Sequence, residues 1–324
     1  MYQGKYVFAQ LFSIISRHEF TKCVNRYDGN YKTRDFKCWQ QFLCMVFGQL
    51  TYRESIRDII NCLAAHQSKI YHLGIKNLVA VSTLTRANEN RDWRIWSDFA
   101  THLISVARPL YLTDNDFTLE LDNTVYALDA STIDLCLSTF HWAKFRKKKG
   151  AVKLHTLMDL RGNIPVFIDI TDGKTHDVHI LDKLTFEAGA FYIIDKGYYD
   201  HEKSKTYIFL TNNFQINAIT ITLLYKNRWQ IELFFKWIKQ HLKIKKFWGH
   251  SENAVKTQIW IAVCTYLLVA ILKKKLKIDR NLYSILQILS VSAFDKTPVN
   301  QLLSSTELHI NQNELHKQLT IFDL

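Results

Sequence analysis

The spacing of apolar residues separates the first third of the chain from the rest. Up to about residue 111, apolar residues recur at intervals of three and four, as in "CWQQFLCMVFGQL" and "SIRDIINCLAAH". This spacing places them on one face of an α-helix. Few segments in this part alternate as a strand does. Residues 1–111 are therefore predicted to form a helical domain.

The pattern changes to short apolar runs after Pro109. "TVYALDAST", "AVKLHTLMDL" and "IPVFIDITD" are rich in β-branched residues and are separated by "KKKG" and "RGN", which predicts strands joined by turns. "DVHILDKLTFEA" has helical spacing, and "AFYIIDKGYY" is a continuous apolar run typical of a buried strand. Residues 206–213, in "TYIFLTNNF", are predicted to be a further strand of the core sheet.

Helical spacing returns over residues 216–246 and continues to the end of the chain. The pattern therefore predicts an α/β fold, with a sheet layer between helical flanks. Three regions follow: a helical domain over 1–111, an α/β domain over 112–250, and a helical segment over 251–324 that packs on the core.

The charge balance favours a polyanionic partner. The chain has 42 Lys and Arg against 30 Asp and Glu, a net charge of +12, which suits DNA or RNA better than an acidic small molecule. Residues 1–111 alone carry 15 basic and 8 acidic side chains. A helix-turn-helix with Ser82 as a helix cap and Arg86, Arg91 and Arg94 facing DNA is one interpretation, and a solvated basic face is the other.

The cysteines and the apolar runs indicate the cellular compartment. The six cysteines contain no C-x-x-C pair, so neither a zinc site nor a disulfide scaffold is indicated and a reducing compartment is expected. No signal peptide is recognisable in "MYQGKYVFAQ". The longest uncharged run, residues 257–272, is shorter than the roughly 20 residues that span a bilayer, so it predicts a buried helix and no membrane partner.

Two acidic residues interrupt predicted strands: Asp129 in "YALDAST" and Asp195 in "YIIDKGYY". A buried carboxylate is costly unless it is hydrogen-bonded, paired or bound to a metal. Each could simply be hydrogen-bonded at a strand end. Adjacent parallel strands would instead bring the two side by side, where their mutual repulsion requires a cation.

Glu232 lies on a polar stripe of an otherwise apolar helix. With about 100° between successive helix residues, Tyr225, Arg228, Glu232 and Lys239 fall within an arc of about 60°. A polar stripe on a buried helix is typical of a side that lines a cleft. The alternative is an internal salt bridge from Glu232 to Arg228 or Lys236, worth a few tenths of a kcal/mol.

The same four residues carry a family resemblance. Tyr, two residues, Arg, three residues, Glu, six residues, Lys is the signature of the DDE transposases of bacterial insertion sequences in the family called "insertion sequence four", and this chain is similar to it at each position. "LDASTIDLCLSTFHWAKFRKKKGAVKLHT" and "FYIIDKGYYD" resemble the family's first and second Asp regions, and "SENAVKTQIWIAV" resembles the segment after its catalytic helix. The first hundred residues resemble the N-terminal domain found with such transposases.

The resemblance implies a ribonuclease-H-like mixed sheet core in which three carboxylates are catalytic and hold Mg²⁺ or Mn²⁺: Asp129, Asp195 and Glu232. Hard carboxylate oxygens suit these ions, and two such ions can activate the attacking oxygen and stabilise the leaving one in phosphodiester transfer. The resemblance further implies that Tyr225, Arg228 and Lys239 bind DNA phosphates.

The implied reaction is cleavage at the ends of the element, followed by attack of those ends on target DNA. Its partners would be double-stranded DNA, as element ends and as target, and a second copy of the chain in a synaptic homodimer. The implied location is the bacterial cytoplasm, at the nucleoid.

One departure from the family is visible between the second Asp and the Glu. Relatives place a helix, a strand and a long β-rich insertion there, whereas Asp195 and Glu232 are only 37 positions apart (232 − 195). The sequence resembles a transposase with an internal deletion. Two hypotheses therefore remain, an active DDE transposase and an impaired remnant that only binds DNA. A junction or repair nuclease on the same core is a third, which the tyrosine-to-lysine signature disfavours.

Overall fold

The structure is a computed structural model that describes residues 4–112, 123–146, 149–175, 177–194 and 216–304. Asp195 and the predicted strand over residues 206–213 lie outside these ranges.

The first part of the chain is helical, as predicted. Its helices are α1 (Val7–Leu11), α2 (Arg17–Arg26), α3 (Cys38–Leu50), α4 (Ile56–Ala65), α5 (Gln67–Ile70), α6 (Val81–Asn90) and α7 (Arg94–Tyr111), with short 3₁₀ turns at Phe12–Ile14 and Tyr71–Leu73. The side chains of Ser16 and Ser55 cap α2 and α4 by accepting hydrogen bonds from backbone N–H groups. Aromatic rings fill the space between α2, α3 and α7, where Phe20 meets Phe99 edge to face at 5.0 Å.

The middle of the chain forms one mixed sheet. Its strands are β1 (Val125–Leu135), β2 (Lys144–Arg146), β3 (Lys149–Asp159), β4 (Ile164–Asp172) and β5 (Phe191–Ile194). β3 pairs antiparallel with β1, β2 and β4. β5 pairs parallel with β1. The order across the main part of the sheet is therefore β4, β3, β1, β5, and the predicted α/β layer is confirmed.

The two faces of β1 are covered differently. Val125, Ala127 and Ile133 are buried in the main core, whereas Tyr126 and Leu128 join a small cluster on the other face. This follows from the period-two alternation of strand side chains. Asp129 has the same parity as Ala127, so it lies on the face that the helices cover.

The last part contains α8 (Ala218–Asn227), α9 (Trp229–His241), α10 (Glu252–Lys275), α11 (Leu282–Ser292) and α12 (Val299–Leu303). α10 is the central helix of the molecule and packs on α7, α3 and α6. Its sequence is apolar nearly all round, which suits a helix with protein on every side. Tyr111 at the end of α7 donates from its hydroxyl to the carbonyl of Ala270, at 3.1 Å.

Three local predictions were wrong. The helix predicted over 216–246 is two helices that meet at Arg228 and end at His241, where Leu242 takes an extended conformation. The helix predicted in "DVHILDKLTFEA" is a 3₁₀ segment, Asp177–Lys183. Ser82 does not cap α6, because that helix begins at Val81 after Ala80. Apolar spacing shows which face is buried, but it does not show where the backbone turns.

Candidate functional site

Asp129 sits in the middle of β1 on the face that α9 approaches. Its side chain is 20% exposed, although its neighbours on that face, Ala127 and Ile133, are at most 2% exposed. Its Oδ1 accepts a hydrogen bond from the backbone N–H of Ala130, at 2.7 Å. The strand therefore presents one fixed, half-buried carboxylate beneath the helix.

Glu232 is presented by the first turn of α9. Ile231, Phe234, Phe235 and Ile238 anchor this helix in the core, and the Glu232 side chain keeps 36% of its surface exposed. An acidic residue in the first turn also interacts favourably with the positive end of the helix dipole.

Arg228 brings the two carboxylates together. Its Nη1 donates to Asp129 Oδ2 at 2.8 Å, and its Nη2 donates to Glu232 Oε1 at 2.7 Å. The Arg228 side chain is only 15% exposed. The ring of Tyr225 lies against the guanidinium, with its centroid 5.6 Å from Cζ. The internal salt bridge considered for Glu232 is thus present, and the same arginine reaches a strand residue 99 positions away in sequence.

Lys239 lies farther along α9 and contacts the same strand. Its Nζ donates to the backbone carbonyl of Thr132 at 2.7 Å. Burial lowers the pKa of Lys239, Lys245 lowers it further by repulsion, and Asp134 acts in the opposite direction. This contact fixes the second half of α9 against β1.

The surroundings of Asp195 are described up to the residue before it. Ile194 at the end of β5 pairs with Leu128, which directly precedes Asp129. The prediction that the two Asp-bearing runs form adjacent parallel strands is confirmed for their described residues, Val125–Leu128 and Phe191–Ile194.

The chemistry of the site fits a hard divalent cation. Asp129 and Glu232 offer carboxylate oxygens, which Mg²⁺ and Mn²⁺ prefer, and both already point at one positive group. Among the described residues there is no cluster of three or more His, Cys, Asp or Glu side chains that could hold a metal. Of the three predicted metal ligands, Asp129 and Glu232 lie within the described residues and Asp195 does not.

Sequence reasoning missed Thr156, which lies opposite Asp129 on β3. Its side chain is fully buried, and its hydroxyl has no hydrogen-bond partner within the described part of the chain. Residues opposite each other on antiparallel strands share a face, so Thr156 lies beside the carboxylate. Threonine is common in strands, so the sequence alone did not single out Thr156. Only the strand register, which pairs it with Asp129, does so.

A second charged cluster stabilises the other end of β1. Asp159, only 2% exposed, accepts a hydrogen bond from Arg108 Nε at 3.0 Å. The same guanidinium contacts the hydroxyl of Tyr126, which in turn donates to Glu187. Burial raises the pKa of Tyr126. This cluster ties α7 to the sheet and lies outside the predicted site.

A cleft of about 1080 Å³ opens in the helical part of the molecule, between the loop before α3 and helix α6. Its lining includes the cations Lys32, Arg34 and Arg86 and the acids Asp28 and Asp35. None of these three cations forms a salt bridge to another described residue. The Arg86 predicted to face DNA thus lies at an accessible surface.

Helix α10 is long and apolar enough to cross a membrane, and 94% of its apolar window is buried inside the protein. It is the one such helix in the described ranges. Core helices of globular proteins pass the same test.

Two sequence families match this chain. Residues 3–76 match a family described as a domain of unknown function. Residues 120–206 and 199–268 match the family described as "Transposase DDE domain". The second match thus comes in two segments, which meet around residues 199–206.

Curated relatives are similar over parts of their length. The protein y4zB of Sinorhizobium fredii, which bears the name of a transposase, is 29% identical over 40% of this chain and 56% of its own. A protein of Geobacillus stearothermophilus named for the transposase of insertion sequence element IS5377 is 21% identical over 51% of this chain and 60% of its own. The chain thus spans little more than half of these relatives.

Strand β1 with Asp129, Arg228 at the junction of α8 and α9, and α9 with Glu232 and Lys239 lie within the residues that match the DDE domain. Residues 120–268 of this chain therefore match the transposase DDE domain, and the chain is similar to proteins named as transposases of insertion sequences.

Proposed function

We propose that this protein cleaves DNA at the ends of an insertion sequence and joins those ends to target DNA, with Asp129, Asp195 and Glu232 as the catalytic carboxylates. The observation that carries the proposal is the convergence of Asp129 and Glu232, from a strand and a distant helix, on one guanidinium. Such convergence of acidic groups in a half-buried site requires a compensating cation.

The sheet supports a ribonuclease-H-like core. Three antiparallel strands, β1, β3 and β4, are followed by β5, which pairs parallel to β1. Asp195 follows the last described residue of β5 in sequence, and this residue pairs with the one before Asp129. The catalytic role of Asp195, which lies outside the described residues, is proposed from the sequence.

Mg²⁺ or Mn²⁺ bound to these carboxylates would supply Lewis acidity for attack on the phosphodiester bond. The chain's own residues hold and orient the DNA. Arg228 offers a planar fork that suits a phosphate, and Tyr225 supports its guanidinium from one side. Lys239 adds a positive charge on the same helix, while its contact with Thr132 keeps that helix close to the strand.

The DNA partner is double-stranded, as element ends and as target. The net charge of +12 favours binding to the phosphate backbone. The affinity should fall steeply as the salt concentration rises, because the release of counterions from the DNA then becomes less favourable. Lys32, Arg34 and Arg86 around the cleft are the proposed contacts of the helical domain, residues 1–111. Two copies would act together on two ends, in the bacterial cytoplasm at the nucleoid.

A specific observation favours a second candidate function, a catalytically impaired remnant that binds DNA. The alignment with y4zB is 198 residues long but takes in 40% of the 324 residues here, about 130. The relative therefore contributes segments that this chain lacks. The two-segment match to the DDE domain supports the same internal deletion.

Strand cleavage of a plasmid that carries the DNA flanking the gene tests the two candidates. An active transposase nicks this plasmid with Mg²⁺ or Mn²⁺, not with EDTA, and loses the activity in Asp129→Asn and in Glu232→Gln. Asp182→Asn is the control, because Asp182 is exposed and lies outside the site. Binding without cleavage by the unmodified chain identifies the remnant, and cleavage that survives in Glu232→Gln rejects the assigned site.

A further inference from the structure

Arg228 uses both terminal nitrogens on the carboxylates that are proposed to hold the metal. Nη1 is taken by Asp129 and Nη2 by Glu232, at 2.8 and 2.7 Å. The oxygens that accept these bonds, Asp129 Oδ2 and Glu232 Oε1, are carboxylate oxygens of the kind that a divalent metal binds. A metal bound by these two oxygens would therefore take the place of the guanidinium.

We propose that Arg228 is a displaceable cation that holds Asp129 and Glu232 together until a metal replaces it, and that the released guanidinium then binds a DNA phosphate. This inference rests on the proposed function and adds a coupling to it. Metal and DNA bind cooperatively, because each favours the conformation in which Arg228 has left the carboxylates.

The side chains make such an exchange necessary. A guanidinium stays charged at any pH a protein tolerates, so Arg228 cannot leave by losing a proton. Its surface is 15% exposed and that of Asp129 is 20% exposed, so water screens the site only partly. A divalent ion placed beside an unmoved Arg228 would repel it strongly.

The neighbouring groups also explain where Arg228 can go. Glu232 is the most exposed member of the group, at 36%, so the helix side of the site opens toward solvent. The Tyr225 ring supports the guanidinium by a cation–π contact in the position seen here, with its centroid 5.6 Å from Cζ. A DNA phosphate that approaches from solvent can then pair with the Arg228 guanidinium that the metal has displaced.

Mn²⁺ titration of the full chain, followed by electron paramagnetic resonance of the free ion, tests the first half of this inference. Arg228→Gln should bind Mn²⁺ about 5- to 150-fold more tightly than the unmodified chain, the range expected for a coupling of this kind. Arg228→Lys, which keeps the charge but loses the fork, should fall between them and also serves if Arg228→Gln does not fold. Lys226→Gln removes the same charge from an exposed site on α8 and should leave the affinity unchanged.

The second half is tested by repeating the titration with a short duplex cut from the DNA that flanks the gene. The duplex should tighten Mn²⁺ binding to the unmodified chain, Mn²⁺ should tighten duplex binding by the same factor, and both effects should be lost in Arg228→Gln.

The outcomes separate this inference from the proposed function. Suppose that Glu232→Gln weakens Mn²⁺ binding but Arg228→Gln and Arg228→Lys have the same Mn²⁺ affinity as the unmodified chain. The proposed exchange of Arg228 for metal is then wrong, while the proposed metal site is supported. If Mn²⁺ affinity is the same in Glu232→Gln as in the unmodified chain, both are wrong.

Discussion

At the scale of single residues, the sequence was sufficient to select Asp129, Arg228 and Glu232. It offered Arg228 or Lys236 as a salt-bridge partner of Glu232, and the structure has the pair with Arg228. That pair is local, four positions apart on helical backbone, and its geometry follows from the helix repeat. The contact from Arg228 to Asp129 is not local. It depends on how α9 lies across β1, which the packing of Ile231, Phe234 and Ile238 determines. Side-chain identity alone could not predict it.

Asp159 provides a residue-scale prediction outside the site. Asp159→Asn removes the charge that Arg108 contacts while keeping the shape of the side chain. It should lower the free energy of unfolding by about 2 kcal/mol, below the ~3–5 kcal/mol of fully buried pairs, because part of Arg108 remains in water. Urea denaturation measures the loss. Asp182→Asn, at an exposed site, should change it by less than about 0.5 kcal/mol.

At the scale of elements, β1, β3, β4 and β5 were predictable because short apolar runs rich in β-branched residues ended at clear turn residues, whereas β2 was not predicted. The break between α8 and α9 was not, since Arg228 keeps a helical conformation and apolar spacing continues across it. The place of α10 was also missed. Its burial was expected, but its contact with the N-terminal helices joins parts of the chain about 160 residues apart, as between Asn253 and the carbonyls of Asn88 and Arg91.

This packing gives a prediction about the helical domain. A fragment of residues 1–111 lacks α10 and exposes the apolar surfaces of α3, α6 and α7 that α10 covers. It should show no cooperative thermal transition by circular dichroism, whereas the full chain should. A sharp, reversible transition in the fragment would show that this domain is independent. DNA binding by its cleft is therefore best measured on the full chain.

Gly48 in α3 supports a second element-scale prediction. A methyl group there would lie 2.4 Å from Ile59 Cδ1 and 2.8 Å from Trp248 Cη2. Alanine normally stabilises a helix interior by up to about 1 kcal/mol relative to glycine, but crowding of a packed core costs ~1–3 kcal/mol. Gly48→Ala should therefore lower stability by about 1 kcal/mol in chemical denaturation.

The control for that substitution is Asn61→Ala, on the exposed side of α4. It reports helix propensity without crowding and should raise stability slightly. A rise in both variants would mean that the core around Gly48 relaxes freely.

At the scale of the whole molecule, the parallel pairing of β1 and β5 agrees with the two Asp-bearing strands foreseen from sequence. The segment between Asp195 and Ile216 lies outside the described residues, and so does the strand predicted there. What the sequence could not decide is the effect of a shortened interval on function. That depends on whether the segment proposed to be deleted contributes contacts to DNA.

Restoring the interval tests this effect. Placing the corresponding segment of a full-length relative between Asp200 and Glu202 should raise excision from a donor plasmid, because the insertion would add contacts to the DNA ends. An equally long Gly/Ser linker at the same place is the control and should not raise it. Excision by the unmodified chain as efficient as that of a full-length relative would show that the deletion has no functional effect.

The central claim, that Asp129 and Glu232 hold a divalent metal in exchange for Arg228, is tested most directly by anomalous X-ray diffraction from crystals soaked in Mn²⁺. The account predicts an anomalous peak bound by Asp129 and Glu232, with the Arg228 guanidinium moved away from both carboxylates. Crystals at saturating Mn²⁺ that show no peak there, with Arg228 still bridging Asp129 and Glu232, would contradict it.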